Sequence, residues 1–187
     1  MADPNRSGQA YAFMSMTPVK DGEREPLEAY LHGLRSAGPS PFTKLTRTHI
    51  ARFVIVPDFH NDKTWKQRKE DHLDRPYLIF TSNLDGDIDT YLNELCKQFA
   101  PFAKEIWGRC IGCPERAEGP ALKKYLLHNQ IKSGIFYAPY GHATVGTVKR
   151  ALAQRERMIE FAVASQGLQD AELQANFVKT FQKKAKR

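Results

Sequence analysis

The stretch Pro76-Tyr-Leu-Ile-Phe-Thr-Ser-Asn-Leu-Asp-Gly-Asp-Ile-Asp-Thr-Tyr-Leu-Asn-Glu-Leu95 decides how this chain is read. An apolar run of strand length, residues 77–82, passes through the turn-forming cluster Ser82-Asn83-Leu84-Asp85-Gly86 into a segment with Ile88, Tyr91, Leu92 and Leu95 at helical spacing. Asp87 and Asp89 stand where the positive end of that helix, expected over 87–99, favours carboxylates. The unit sets polar groups at the end of a strand.

The same rhythm occurs upstream. Residues 11–17 predict a first strand, ended by Pro18 and the turn Lys20-Asp-Gly-Glu23. Pro26 suits a first helical turn, Leu27, Tyr30, Leu31 and Leu34 form its apolar stripe, and Gly38-Pro39 stops it. Residues 49–56, rich in β-branched and aromatic side chains, predict the second strand, and Pro57-Asp58 ends it. Residues 59–75 are strongly polar and read as an exposed, hairpin-like excursion. Gly134-Ile-Phe-Tyr-Ala138 supplies a fourth strand. The expected fold class is therefore α+β: a ferredoxin-like split βαβ (βαββαβ) domain over 11–165, with an insertion at 101–133 that holds a helix near 120–129. A flexible N-terminus (1–10) precedes it. Further helices are expected at 144–164, where Val148, Ala151, Leu152, Arg155, Ile159 and Ala162 share a face, and at 168–181, the latter within a C-terminal helix and basic tail (166–187).

Composition narrows the class. A chain of 187 residues that is 41% hydrophobic and 11% aromatic can bury a substantial core, and its length suits one elaborated domain. Its longest apolar runs, such as Phe53–Val56, fall far short of the roughly 20 residues of a membrane span. The first residues lack the basic-then-apolar order of a secretory signal, and three cysteines fit a reducing compartment, so a soluble, cytoplasmic protein is expected. Of the net charge of +7, Lys179, Lys183, Lys184, Lys186 and Arg187 supply +5. The body is nearly balanced, and the tail reads either as solvated or as a salt-sensitive arm for a polyanion such as nucleic acid.

The segment Met14-Ser-Met-Thr-Pro-Val-Lys-Asp-Gly-Glu-Arg24 with its helix, and the strand Thr48-His-Ile-Ala-Arg-Phe-Val-Ile-Val56, resemble the dimeric α+β-barrel proteins. That group includes small monooxygenases, chlorite-dismutase-like proteins and dye-decolourising peroxidases. The resemblance covers about residues 11 to 140. It implies a homodimer paired through its sheets and, in the last two families, haem between sheet and helices. Dye-decolourising peroxidases carry a Gly-x-x-Asp-Gly motif on the distal side of haem; here Ser82-Asn83-Leu84-Asp85-Gly86 keeps only Asp85 and Gly86, with Ser82 in place of the first Gly. Asp85 is the distal acid that the resemblance implies, while Gly86 is equally a strand-to-helix turn.

Strand alternation puts His49 with residues 51, 53 and 55 on one face and Arg52 with Ile50 and Val54 on the other, so the two cannot act together on one face. Each reads either as a ligand anchor or as an ordinary strand residue. His142, just ahead of the helix expected at Thr144, is the haem-ligand candidate, with Asp85 or Arg52 as its polar counterpart and Asn83 as a further orienting group. The alternative for His142 is a polar residue before a Thr-capped helix. Cys110-Ile-Gly-Cys113 has the spacing of redox dithiols and half a zinc site, but no second pair of ligands stands at a matching interval. Nucleophile elbows, phosphate loops and dinucleotide fingerprints are absent. The strand aromatics lack the adjacent basic residues of RNA-recognition sheets. The expected function is binding of a small hydrophobic molecule or haem in a cavity between sheet and helices. Two forms of it stay open: oxidoreductase chemistry using His49, Arg52, Asn83, Asp85 and His142, and a non-catalytic small-molecule or nucleic-acid-binding module.

Overall fold

The computed structural model describes residues 3–60 and 70–182. The chain divides into two units, residues 1–145 and 146–187, so the division falls earlier than the expected 165/166. No helix among the described residues is long and apolar enough to cross a membrane.

The first unit is α+β. Strands β1 (Arg6–Ser7), β2 (Ala10–Pro18), β3 (Thr48–Val56) and β4 (Tyr77–Asp85) form a four-stranded sheet in the order β1-β2-β4-β3, every neighbour antiparallel. The period-2 pattern of the long strands sets which side is covered. Phe13, Ser15 and Thr17 of β2 and Leu78, Phe80, Ser82 and Leu84 of β4 point to one face and are buried. Helices α1 (Arg24–Ser36), α2 (Ile88–Ile106) and α3 (Gly119–His128) pack on that face, and Val19, Leu45, Trp107, Cys110 and Ala117 from the connections complete the core.

Helix α2 starts where Asp87 accepts a hydrogen bond from the Thr90 amide at 2.8 Å, an N-cap that holds the Asp87 carboxyl below its ordinary range. Its buried stripe, Tyr91, Leu92, Leu95, Phe99, Ala103 and Ile106, continues the spacing that predicts the helix, and it runs through Pro101 instead of stopping near Phe99. Proline removes one amide from the ladder, but the apolar stripe beyond it is buried completely and keeps the helix going. The expected insertion at 101–133 thus begins as the last turns of α2 and ends past α3.

Three further expectations change. Residues 134–138 form no strand: Ile135 and Tyr137 are 89% and 78% exposed, so this apolar run has no layer to join. The edge beside β2 is taken by β1 and by a short bridge, in which the Met16 amide donates to the Asn129 carbonyl at 3.0 Å and the Ile131 amide to the Met14 carbonyl at 2.9 Å. The first ten residues accordingly include an ordered edge strand; Asn5 is buried, bonding the Tyr11 hydroxyl at 3.3 Å and accepting from the Ser133 amide at 2.6 Å. Third, β4 extends through Asn83 and Asp85, and the turn is left to Gly86, whose φ of +85° only glycine adopts freely.

The opposite face of the sheet differs in kind. Met14 and Met16, Ile79, and Ile50 and Val54 point away from the helices, lie outside the core cluster, and alternate with Arg52, Thr81 and Asn83. Ile50 is 64% exposed.

The polar excursion expected over 59–75 lies largely outside the described residues. Its base is closed by Asp58, which accepts from the Phe59 and Leu73 amides and pairs with His72 at 2.7 Å. Those donors pull the Asp58 carboxyl down to about 2, the His72 hydrogen bond contributing most, and Asp58 raises His72 in return.

The second unit is a helical hairpin of α4 (Val145–Ala164) and α5 (Asp170–Phe181), held by Phe161, Phe177 and Phe181, whose ring centroids lie 5.0–5.7 Å apart.

Candidate functional site

Between sheet and helices, at the β3 edge, the core is left open. Pro41–Lys44 forms a single 3-10 turn that presents Phe42 inward, and Phe42 packs on Phe99 of α2 at 4.7 Å and near Phe53 of β3 at 5.8 Å. These rings, with Leu31 and Leu34 of α1 and Ala51 of β3, wall a pocket of about 390 Å3. The size falls in the usual range for small-molecule sites. Its wall is mainly apolar, and its polar groups are Arg35 and Ser40. Arg35 is exposed and has no ion pair among the described residues, so its guanidinium is available at the rim. Ser40 already accepts from the Phe42 amide at 3.3 Å.

Behind the pocket's aromatic wall lies Trp107, fully buried, with ring centroids 5.6 Å from Phe53 and 6.0 Å from Phe99. Its indole N–H finds no acceptor among the described residues, a costly state for a buried donor.

The five residues expected to form a site are elsewhere, and only two of them meet. His49 and Asp85 come together at the far end of the sheet, Nε2 to Oδ1 at 2.6 Å. Strand alternation misplaces His49, because the register slips between Thr48 and Ile50 and makes it the extra residue of a β-bulge. That bulge turns the imidazole toward Asp85, leaving its side chain 27% exposed. The other oxygen of Asp85 accepts from the Val145 amide at 2.6 Å, so this buried carboxylate joins β3, β4 and the end of the first unit. Both of its oxygens thus have partners within the protein.

Arg52 lies on the open face, where its Nε donates to Thr81 Oγ1 at 3.2 Å; Asn83 is on that same face, paired across to Ile50 and Ala12. His142 is exposed and bonds to no described residue. Its position is nevertheless set by Gly141, whose carbonyl accepts from the Gln9 amide at 2.6 Å and whose Cα lies so close to the strand β1 backbone that a Cβ would sit 2.6 Å from the Ser7 carbonyl oxygen.

The donor set decides the haem expectation. An axial ligand must be His, Cys, Met or Tyr, and the pocket wall carries none of these. His142 and Asp85 do not line the pocket either, so the residues present do not fit haem there. Cys110 and Cys113 flank a turn in which Gly112 has φ of +73°. Burial pushes both thiols up to about 11, and Cys96 to about 12, so all three stay protonated at neutral pH. Thr17 donates to Cys110 Sγ at 3.4 Å. Among the described residues no group of His, Cys, Asp and Glu is arranged to hold a metal ion.

Sequence reasoning missed the pocket. Phe53 and Phe99 read as core, and Phe42 and Arg35 lay beside the Gly38-Pro39 break without a periodic signal. The one available hint was an apolar aromatic, Phe42, inside a turn rich in Gly, Pro and Ser. No protein-family model, curated protein or solved structure matches the chain.

Proposed function

We propose that the first unit binds a small hydrophobic molecule carrying an anionic end, without turning it over. The observation that carries this reading is the Phe42–Phe53–Phe99 pocket with Arg35, which has no ion pair among the described residues, at its rim. The apolar body would replace water against the rings, at about 25 cal/mol per Å2 buried, and a carboxylate would face the guanidinium fork. The one hydroxyl of the wall, Ser40, has no basic or acidic partner among the lining residues to activate it, which favours binding over chemistry. The arrangement of the long strands supports a βαββαβ ferredoxin-like ancestry: β2, β3 and β4 occupy the first three strand positions, and the bridge at Gln130 stands in for the fourth. The open sheet face, with Met14, Met16, Ile79 and Val54, is the surface we assign to pairing with a second copy.

Isothermal titration with decanoate and decanol tests the ligand reading. Decanoate is expected to bind the wild type several-fold more tightly than decanol, and Arg35→Gln to erase that difference. Leu34→Trp, which fills the pocket, is expected to abolish both. Unaltered binding by Leu34→Trp would place the ligand elsewhere and overturn the reading.

A further inference from the structure

The two edges of the sheet are treated differently. Beside β2 the edge is closed by β1 and by the bridge at Gln130. Beside β4 the last strand is β3, and its outer edge meets no further strand among the described residues. Two hydrogen bonds at the ends of the ladders fix which groups point there. The Asp85 amide donates to the Arg47 carbonyl on the β3 side, and the Val19 amide to the Pro76 carbonyl on the β2 side. Odd-numbered residues of β4 therefore bond toward β3, where Ile50, Arg52 and Val54 are their partners. The amides and carbonyls of Ala51, Phe53 and Ile55 are left pointing outward, with no hydrogen bond among the described residues.

An edge is ordinarily blunted by a proline, a lysine or a bulge. In β3 the bulge at His49 and Pro57 only bracket the stretch 51–55, and Arg52 turns its side chain to the opposite face, onto Thr81. Beside the bare edge lie two recesses. The side chains of Ala51, Phe53 and Ile55 face the helices, so a strand added here would point its own hydrogen-bonded residues to that same face. The Phe42 pocket is lined by Ala51 and Phe53, and a second recess, of about 330 Å3, is lined by Phe53 and Ile55 with Leu31 and His32 of α1. The two are one two-residue step apart along β3, about 7 Å, the interval between same-face side chains of a strand. Arg35 borders both, whereas Glu28 lines only the second.

A second copy of β3 does not suit these recesses. It would bring its own Ala51, Phe53 and Ile55 to the shared face, and its Phe53 is held in its own core, with ring centroids 4.9 Å from Phe80 and 5.6 Å from Trp107. The occupant has to carry uncommitted side chains at alternate positions. We propose that β3 takes up the C-terminal end of an extended peptide as an added antiparallel strand, with apolar side chains at the last residue and two residues before it. This rests on the ligand reading of the Phe42 pocket: the apolar body is the last side chain, and the anionic end is the terminal carboxylate at Arg35. The earlier apolar side chain fills the recess beside His32, and the main chain bonds the outward groups of Phe53 and its neighbours. Glu28 sets the direction, since a terminal carboxylate in the second recess would meet a like charge.

Isothermal titration of the full chain with acetyl-Ser-Leu-Thr-Leu, its C-terminal amide and two N-methylated forms tests this, with amide exchange followed by NMR. The acid is expected to bind. N-methylation of the first leucine, whose N–H points at β3, is expected to weaken it about tenfold, and N-methylation of the threonine, whose N–H points away, to change it little. Arg35→Gln is expected to lower the acid to the affinity of the amide. Exchange of the Phe53 amide is expected to slow on peptide binding but not on decanoate binding, because only a strand engages that group. Decanoate binding without peptide binding, equal losses from the two N-methyl groups, or a Phe53 amide that the peptide leaves unprotected would overturn the added strand while the pocket reading stands. Binding of neither would overturn both. Slow Phe53 exchange in the free protein, together with a dimeric mass in light scattering, would mean that a second copy already covers the edge and would equally overturn the proposal.

Discussion

The two faces of one sheet, built from alternate residues of the same strands, have had opposite fates. Toward the helices, Phe13, Leu78, Phe80 and Leu84 are at most 1% exposed and join an aromatic cluster that ends in Trp107. Away from them, Met14, Met16 and Ile79 are half-buried, and Ile50 and Val54 are exposed. Apolar residues recur on both faces of these strands, interrupted on the outer one by Arg52, Thr81 and Asn83, so the outer face keeps apolar area that a cover would bury. The first cover is intramolecular. The second, we propose, is another copy, and the pocket sits where the first cover fails to close over Phe53.

The largest expected effect separates these faces by stability. Phe80→Ala removes a fully buried ring that contacts Phe13, Phe53 and Trp107, and should cost about 3–5 kcal/mol in denaturant unfolding. Ile79→Ala, one residue away, should cost less than about 1 kcal/mol when the protein is dilute enough to be dissociated. Similar losses at both positions would mean that the open face is already packed.

A smaller effect tests the join at the sheet's end. Asp85→Asn keeps the shape but removes the charge that serves both the His49 ring and the Val145 amide, and should cost about 2 kcal/mol. Gly141→Ala should be destabilised comparably, because its Cβ would meet the Ser7 carbonyl. A neutral Asp85→Asn in thermal unfolding would show that the carboxylate does not organise this end.

How far the sequence goes is clearest here. The long strands and helices were legible because their apolar residues repeat at periods of 2 and 3.6 over many positions. The edge of the sheet was not: β1 pairs two residues and the Gln130 bridge fewer still, too short to carry any period, whereas Ile135-Phe-Tyr137 has strand-like composition and no partner. His49 and Asp85 were both singled out, yet their contact depends on a bulge, which alternation cannot foresee. The pocket escaped because Phe42 and Arg35 come from segments flanking a helix stop, where only the tertiary arrangement shows that a gap remains.

The smallest expected effect lies at the solvent-exposed clasp of Asp58 with His72. Asp58 has its carboxyl lowered, so its contribution is present above its unfolded value and is lost as pH falls toward about 2. His72 is raised, so its contribution is complete below its unfolded value and fades as pH rises through the folded one. The clasp should therefore be tightest in mildly acidic solution, between the ordinary carboxylate and imidazole ranges. An NMR titration following the Phe59 and Leu73 amides should show their shifts level across that window and moving on either side; amides indifferent to pH would remove the clasp from the account.

The central claim is that one face of the sheet shelters a ligand while the other meets a copy of the chain. Adding decanoate to isotopically labelled protein and mapping the shifted NMR signals tests it most directly. The account expects saturable shifts at Leu31, Leu34, Arg35, Ala51 and Phe53, with Met14, Met16 and Ile79 unmoved. Shifts concentrated on Met14, Met16 and Ile79, or none that saturate, would contradict it.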